Sequence, residues 1–107
     1  MSKKPASPLQ IAVSARLRVV QTELGLTDEN MAALVGVSAS RWKNWINQQN
    51  FPDEEAMVRL CLLAHITMDW IYRGDVASLP LAKAIRLTAR ARGLNPDETT
   101  AAILAVE

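Results

Sequence analysis

The sequence predicts an all-α fold, a five-helix bundle followed by two further helices. Three observations carry that prediction. Apolar residues recur at i, i+3 and i+4 in one segment after another, the signature of helices with a single buried side. Ser, Thr or Asn stands at the start of several of these segments, and the four glycines fall where segments end. The prolines lie before stripes, in loops or in first turns, and none interrupts a stripe.

Residues 1–8, MSKKPASP, read as a flexible arm, because Pro5 and Pro8 block early helix. Its Lys3 and Lys4 could touch phosphate or a minor groove, although a solvated terminus is the simpler reading. Leu9 to Leu24 forms the first helix, with Val13, Leu17, Val20 and Leu24 as the core stripe, and Gly25 ends it. The second helix, roughly Asp28 to Val35, has Thr27 as N-cap. Asp28 and Glu29 fall in its first turn, where the helix dipole favours negative charge. It carries Met31, Ala32, Leu34 and Val35, and Gly36 turns the chain out of it. Ser38 then caps a third helix, Ala39 to about Asn47. Here Trp42, Trp45 and Ile46 make one apolar stripe while Ser40, Lys43, Asn44 and Asn47 project the other way, with Ala39 and Arg41 on the flanks.

The loop NQQNFP closes at Pro52. Asp53, Glu54 and Glu55 open a fourth helix whose apolar set is Met57, Leu60, Cys61 and Ala64, with Val58 and Leu62 broadening the face. His65 near its end reads as a cap or a packed side chain, not a base. Thr67 caps a short fifth helix, MDWIYR, which stops at Gly74. Pro80 suits the first turn of a helix running to Arg92. Leu81, Ala84, Ile85 and Thr88 lie on one side of that helix, and Lys83, Arg86, Arg90 and Arg92 decorate the rest. After Gly93, the run Asn95, Pro96, Asp97, Glu98 restarts a last helix carrying Ala101, Ile103, Leu104 and Val106. The two C-terminal helices are too apolar to stand alone in water, and are expected to pack on the bundle, on a second copy, or both.

At 107 residues, half of them hydrophobic, the chain suits one domain with a modest core. No apolar run approaches the roughly 20 residues needed to span a bilayer. The start has a basic pair but no apolar segment after it, so it does not read as a signal peptide. A cytoplasmic protein of bacterial or phage type, nucleoid-associated when bound to DNA, is expected. One Cys and one His make no metal set, and Cys61 within RLCLLAH reads as a core thiol. Net charge is only +1, but it is uneven: residues 1–50 hold six Lys/Arg against three Asp/Glu, whereas residues 51–75 hold two against five.

The stretch L26-T27-x-x-x-M31-A32-x-x-x-G36-V37-S38 resembles the helix-turn-helix of lambda-repressor/Cro-like DNA-binding regulators. The family's small residue of the first motif helix falls on Ala32, its turn glycine on Gly36, its turn hydrophobe on Val37, and its recognition-helix cap on Ser38. Leu17-Arg18, LGLT at residues 24–27 and I66-T67-M68-D69-W70-I71 are similar to flanking family segments, so the likeness covers about residues 12 to 75. It implies three parts: an arm (1–8), a lambda-repressor-like DNA-binding bundle (9–75), and a C-terminal extension (76–107) offered as a dimerisation element.

The resemblance further implies that the third helix enters the major groove, with Ala39, Ser40 and Asn44 at the base-reading positions. Asn44 can pair bidentately with adenine, and Ala39 can meet a thymine methyl. Ser38, Arg41, Lys43 and Asn47 complete the expected DNA-binding set, with Arg41 and Lys43 able to bond guanine or neutralise phosphate. Trp42 and Trp45 occupy family core positions, which favours packing over base stacking. Two places depart from the family. The usual phosphate-holding glutamine is Asp28, which removes that contact or moves it to a neighbour such as Asn30. An interhelical arginine–glutamate pair is replaced by Gln21 and Ile46. A family glycine is also missing near Gln48, so the third helix runs on or turns differently there.

The expected function is a sequence-specific transcriptional regulator, a repressor acting as a homodimer on double-stranded DNA, with strongly salt-dependent binding and no cofactor or metal. The alternative is a protein-interaction module, such as an antitoxin or phage-type accessory factor. An enzyme is not expected, because no phosphate loop, carboxylate pair or nucleophile–His pair appears.

Overall fold

The computed structural model describes residues 5–98, so Lys3 and Lys4 of the arm, and the segment carrying Ala101, Ile103, Leu104 and Val106, lie outside the described residues. Within these bounds the chain is all-helical. It comprises α1 (Pro8–Leu24), α2 (Asp28–Val35), α3 (Ala39–Ile46), α4 (Glu54–Ala64), α5 (Met68–Arg73), a single 3-10 turn (Val76–Ser78) and α6 (Leu81–Ala91). No helix among the described residues is long and apolar enough to cross a membrane.

Pro8 does not block α1; it begins it. Proline at the first helical position lacks only an N–H that would have had no partner, and its fixed φ suits a helix. Ser7 completes the start as a capping box with Gln10, its Oγ accepting from the Gln10 N–H at 3.1 Å while Gln10 Oε1 accepts from the Ser7 N–H at 2.8 Å. Thr27, Ser38 and Thr67 cap α2, α3 and α5 by the same N-terminal bond, as expected.

One core runs through the molecule, built from Val13, Leu17 and Val20 of α1, Met31 and Val35 of α2, Trp42, Trp45 and Ile46 of α3, Met57 and Leu60 of α4, and Ile71 of α5. The two indoles meet edge to face, their centroids 6.1 Å apart and their planes at 69°. Leu24, expected at the end of the α1 stripe, is more exposed than the other three because it lies in the last turn, beyond the helices that cover them.

Val58 and Leu62 do not broaden the buried face of α4. They stand on its outer side, 50 % and 72 % exposed, while Met57, Leu60 and Ala64 face the core. The expected side of α6 is corrected in part: Ala84 packs against the core and Ile85 and Thr88 are half-buried, but Leu81 is solvent-exposed and the buried residues are Leu87 and Ala89, with α6 lying along α1. Arg86 and Arg90, expected to decorate the surface, turn inward to Glu23 of α1. The chain turns helical again at residues 96–98, where Asn95 Oδ1 accepts from the Asp97 N–H at 3.0 Å.

The ends of the short helices are closed by arginines from other helices. Arg59 of α4 donates to the Val35 carbonyl of α2 at 3.2 Å, and Arg16 of α1 to the Ile71 carbonyl of α5 at 2.9 Å. A cation at a helix C-terminus satisfies an orphan carbonyl and complements the dipole. Glycine is needed at both junctions. Gly36 and Gly74 are left-handed at φ 79° and 71°. A Cβ at Gly36 would lie 1.9 Å from Arg59 Nη1, and one at Gly74 would lie 2.6 Å from Arg16 Nη2.

Candidate nucleic-acid interface

α2 and α3 are joined by the three residues 36–38, and α3 stands on α1 with its polar side outward. Trp42, Trp45 and Ile46 are at most 4 % exposed, which fixes the rotation of α3 about its axis. Ser40, Lys43, Asn44 and Asn47, spaced i, i+3, i+4 and i+7, therefore form one stripe opposite the tryptophans.

The seven expected contact residues are not equivalent. Ser40 and Lys43 are exposed and Asn44 is half-buried, and the side chains of Ser40 and Asn44 make no hydrogen bond among the described residues. Ser38 accepts the Arg41 N–H at 3.1 Å and so serves the helix start. Ala39 is partly buried against the core, so its methyl is turned from the stripe. Asn47 Oδ1 accepts from Arg18 Nη2 at 2.8 Å, leaving its NH2 as the outward donor. Arg41 pairs with Asp53 at 3.1 Å, and Lys43 with Glu29 at 3.7 Å. Both pairs are largely exposed, and such pairs contribute about 0–1 kcal/mol, so phosphate can displace either carboxylate.

Gln21 stands where the resemblance implied half of an ion pair, and it takes over the junction as a neutral hub. Its Nε2 donates to Asp28 Oδ1 at 2.8 Å and to the Leu26 carbonyl at 3.1 Å, while its Oε1 accepts from Trp42 Nε1 at 3.2 Å. Both amide hydrogens and one oxygen lone pair are thereby used. The network accounts for Asp28 as well: its carboxylate ties α2 to α1, and the indole N–H of Trp42 is directed at Gln21 and not at phosphate.

The end of α3 is also fully closed. Ser14 Oγ, buried in α1, donates to the Trp45 carbonyl at 2.6 Å, and Arg18 Nε donates to the Ile46 carbonyl at 3.2 Å. The Gln49 N–H returns to the Asn44 carbonyl at 2.9 Å, and the Asn47 N–H bonds the Lys43 carbonyl at 2.9 Å. All four terminal carbonyls are satisfied. This is a Schellman closure in which Gln48 occupies the left-handed position, at φ 65°, that glycine ordinarily takes. The helix does not run on; the glutamine accepts the strain. Gln48→Gly is therefore expected to stabilise the fold by about 0.5–1 kcal/mol, the relief of left-handed strain being partly offset by a freer unfolded chain. A rise of a few degrees in thermal midpoint is the readout.

Beyond α3 lies a feature that the stripe pattern did not reveal. A cleft of about 880 Å³ is lined by Pro5, Ala6, Ser7 and Gln10 on one side and by residues 47–51 on the other. The run of four amide side chains at 47–50 is its sequence signal. Amides both donate and accept, so this wall suits a polar backbone or base edges better than an apolar ligand.

Elsewhere the described residues hold no cluster of three metal-binding side chains. Burial pushes the Cys61 thiol above its usual range, which lowers its reactivity. Comparison of the chain with family models, curated proteins and solved structures gives no match.

Proposed function

We propose that the protein is a sequence-specific DNA-binding regulator of the lambda-repressor-like kind, acting as a dimeric repressor in the cytoplasm, with α3 as its reading helix. The observation that carries the reading is the outward stripe of α3. Ser40, Lys43, Asn44 and Asn47 share one side of a helix whose opposite side is locked by two buried tryptophans, a rigid presentation of short polar side chains of the type that reads base edges. Asn44, with an uncommitted amide in the middle of the stripe, is the principal base-reading residue, and Ser40 its neighbour. Asn30, exposed at the start of α2, is the candidate phosphate donor in place of Asp28.

The test is selection from random duplex oligonucleotides with wild type and Asn44→Ala in parallel. The variant is expected to lose preference at one base pair of each half-site, by about 1–3 kcal/mol. Recovery of the same motif at the same strength would remove Asn44 from the base-reading role.

The alternative, a protein-interaction module, gains one observation. Arg16, Arg18, Arg41 and Lys43, the described cations of the first fifty residues, each already bond a carbonyl, an amide oxygen or a carboxylate. Of these described cations only Arg41 and Lys43 are in exposed pairs that phosphate can replace, so the salt dependence should be shallower than the sequence implies, with a log–log slope of about −2 per reading helix. Absence of duplex binding even at low salt favours the protein-interaction reading.

A further inference from the structure

The cleft beside the end of α3 is polarised by hydrogen bonds made at its edges. Gln10 of α1 stands on one wall and Asn47, the last residue of the outward stripe, on the other. Each amide has its oxygen taken by a group that can only donate. Gln10 Oε1 accepts from the Ser7 N–H at 2.8 Å, and Asn47 Oδ1 accepts from Arg18 Nη2 at 2.8 Å. A backbone N–H and a guanidinium have no acceptor to offer, so neither amide can turn its NH2 towards them. Arg18 is itself fixed, because its Nε is spent on the Ile46 carbonyl at 3.2 Å. Neither NH2 has a partner among the described residues. The two walls therefore present donors in one set orientation, whereas Asn44 can present either end of its amide.

We propose that this cleft holds one phosphate of the DNA backbone, gripped by the Gln10 and Asn47 amides from opposite walls. The clamp presupposes that α3 reads the duplex, and it extends that contact to the start of α1. Asn47 belongs both to the stripe and to the cleft, so a strand whose bases meet α3 brings its backbone to this opening. A phosphodiester offers two oxygens that only accept, the match for two NH2 groups that only donate. An adenine edge pairs a donor with an acceptor, and a locked NH2 satisfies half of it. Every described residue lining the cleft is uncharged, which makes the clamp neutral. Cations that neutralise phosphates release counterions and give binding its salt dependence, whereas neutral amides add affinity without steepening it. The clamp thus holds the backbone by means that Arg41 and Lys43 do not supply.

The duplex recovered by the selection serves as probe for the full chain. Gln10→Met removes one donor without changing charge. It should weaken binding about 10-fold, the usual worth of a hydrogen bond to a charged group, and leave the slope of affinity against salt unchanged. Gln10→Glu and Asn47→Asp keep the oxygen that Ser7 or Arg18 requires and replace only the NH2. Their thermal midpoints should be no lower than that of wild type. Each nevertheless sets a carboxylate against the phosphate, and should weaken binding by more than about 10-fold. Methylphosphonate substitution, walked along the backbone one phosphate at a time, identifies the occupant. At one position in each half-site wild type should lose about 10-fold, and Gln10→Met should lose little further. If Gln10→Met loses its helices by circular dichroism, Gln10→Glu takes its place in the scan. Losses that add at every position would mean that Gln10 does not touch the backbone, and overturn the clamp. Equal binding by wild type and the Gln10 and Asn47 variants overturns it too, and leaves α3 as the reading helix. A wild type that binds no duplex at low salt removes both.

Discussion

Trp42→Ala is expected to remove about 3–5 kcal/mol of stability, the usual penalty for emptying a large aromatic site. Set against the roughly 5–15 kcal/mol that holds a domain of this size together, the loss is between about a fifth and the whole of the margin, so a large drop in thermal midpoint is expected. Trp42 has no exposed surface, lies against Trp45, and hands its N–H to Gln21. Removing it deletes packing in α3 and frees one corner of the amide hub that joins α1, α2 and α3. Trp42→Phe separates these contributions. It keeps much of the ring but leaves Gln21 Oε1 without its donor, so a cost of about 1–2 kcal/mol is expected. That cost should shrink when Gln21 is changed to Met beforehand. Denaturant titration of the four proteins in the cycle gives the coupling directly, and a coupling near zero would mean that the indole N–H contributes nothing to the junction.

What the sequence made legible follows from how local each signal is. Caps and left-handed glycines act over four or five residues, so Thr27, Gly36, Ser38, Thr67 and Gly74 are found where the pattern puts them. The α3 stripe is equally local, since a helix carrying Trp42, Trp45 and Ile46 on one side has only one way to face a core. What escaped depends on pairing at a distance. Composition makes the first half of the chain basic, yet it does not tell which cations reach solvent. Arg16 and Arg18 are consumed in closing α5 and α3, tens of residues away. The apolar set of α4 was ambiguous for a different reason. Val58 and Leu62 are as hydrophobic as Met57 and Leu60, and only the placement of α2 and α5 decides which side is covered. The left-handed Gln48 was illegible because residue type argues against it. The Schellman bonds and the grip of Ser14 and Arg18 on the α3 terminus over-determine that turn and hold a glutamine where glycine is usual.

Glu23→Gln is the second large effect, and it separates the C-terminal helix from the rest. Glu23 receives Arg86 and Arg90 together: Arg90 Nε donates at 3.0 Å, Arg86 Nη2 donates at 3.2 Å to the same carboxylate oxygen, and Arg86 Nε bonds the other. Arg86 continues to Asp97 at 2.8 Å, so one chain of charge ties α1, α6 and the turn after α6. The carboxylate side chain is only 9 % exposed, whereas the arginines are about a third exposed. Neutralising Glu23 leaves Arg86 with Asp97 as its remaining carboxylate and Arg90 facing a neutral amide. A loss of about 2 kcal/mol is expected, less than for a fully buried pair because water still reaches the arginines. Hydrogen exchange should rise first along α6, with the α2–α3 pair little changed, since α6 lies on α1 and not on them. The same contact sets an acid limit. Burial pushes the Glu23 pKa up, but the hydrogen bonds and charges of Arg86 and Arg90 outweigh it and hold the value below the ordinary 4.5. A carboxyl depressed on folding contributes stability that is complete above its unfolded pKa and is lost as pH falls through the folded one. Wild type should therefore lose part of its stability below pH 4.5, and Glu23→Gln should lack that part of the pH dependence while being weaker at neutral pH. Coincident curves for the two proteins down to low pH would mean that Glu23 contributes nothing and that α6 is held by apolar contacts such as those of Leu87 and Ala89 alone.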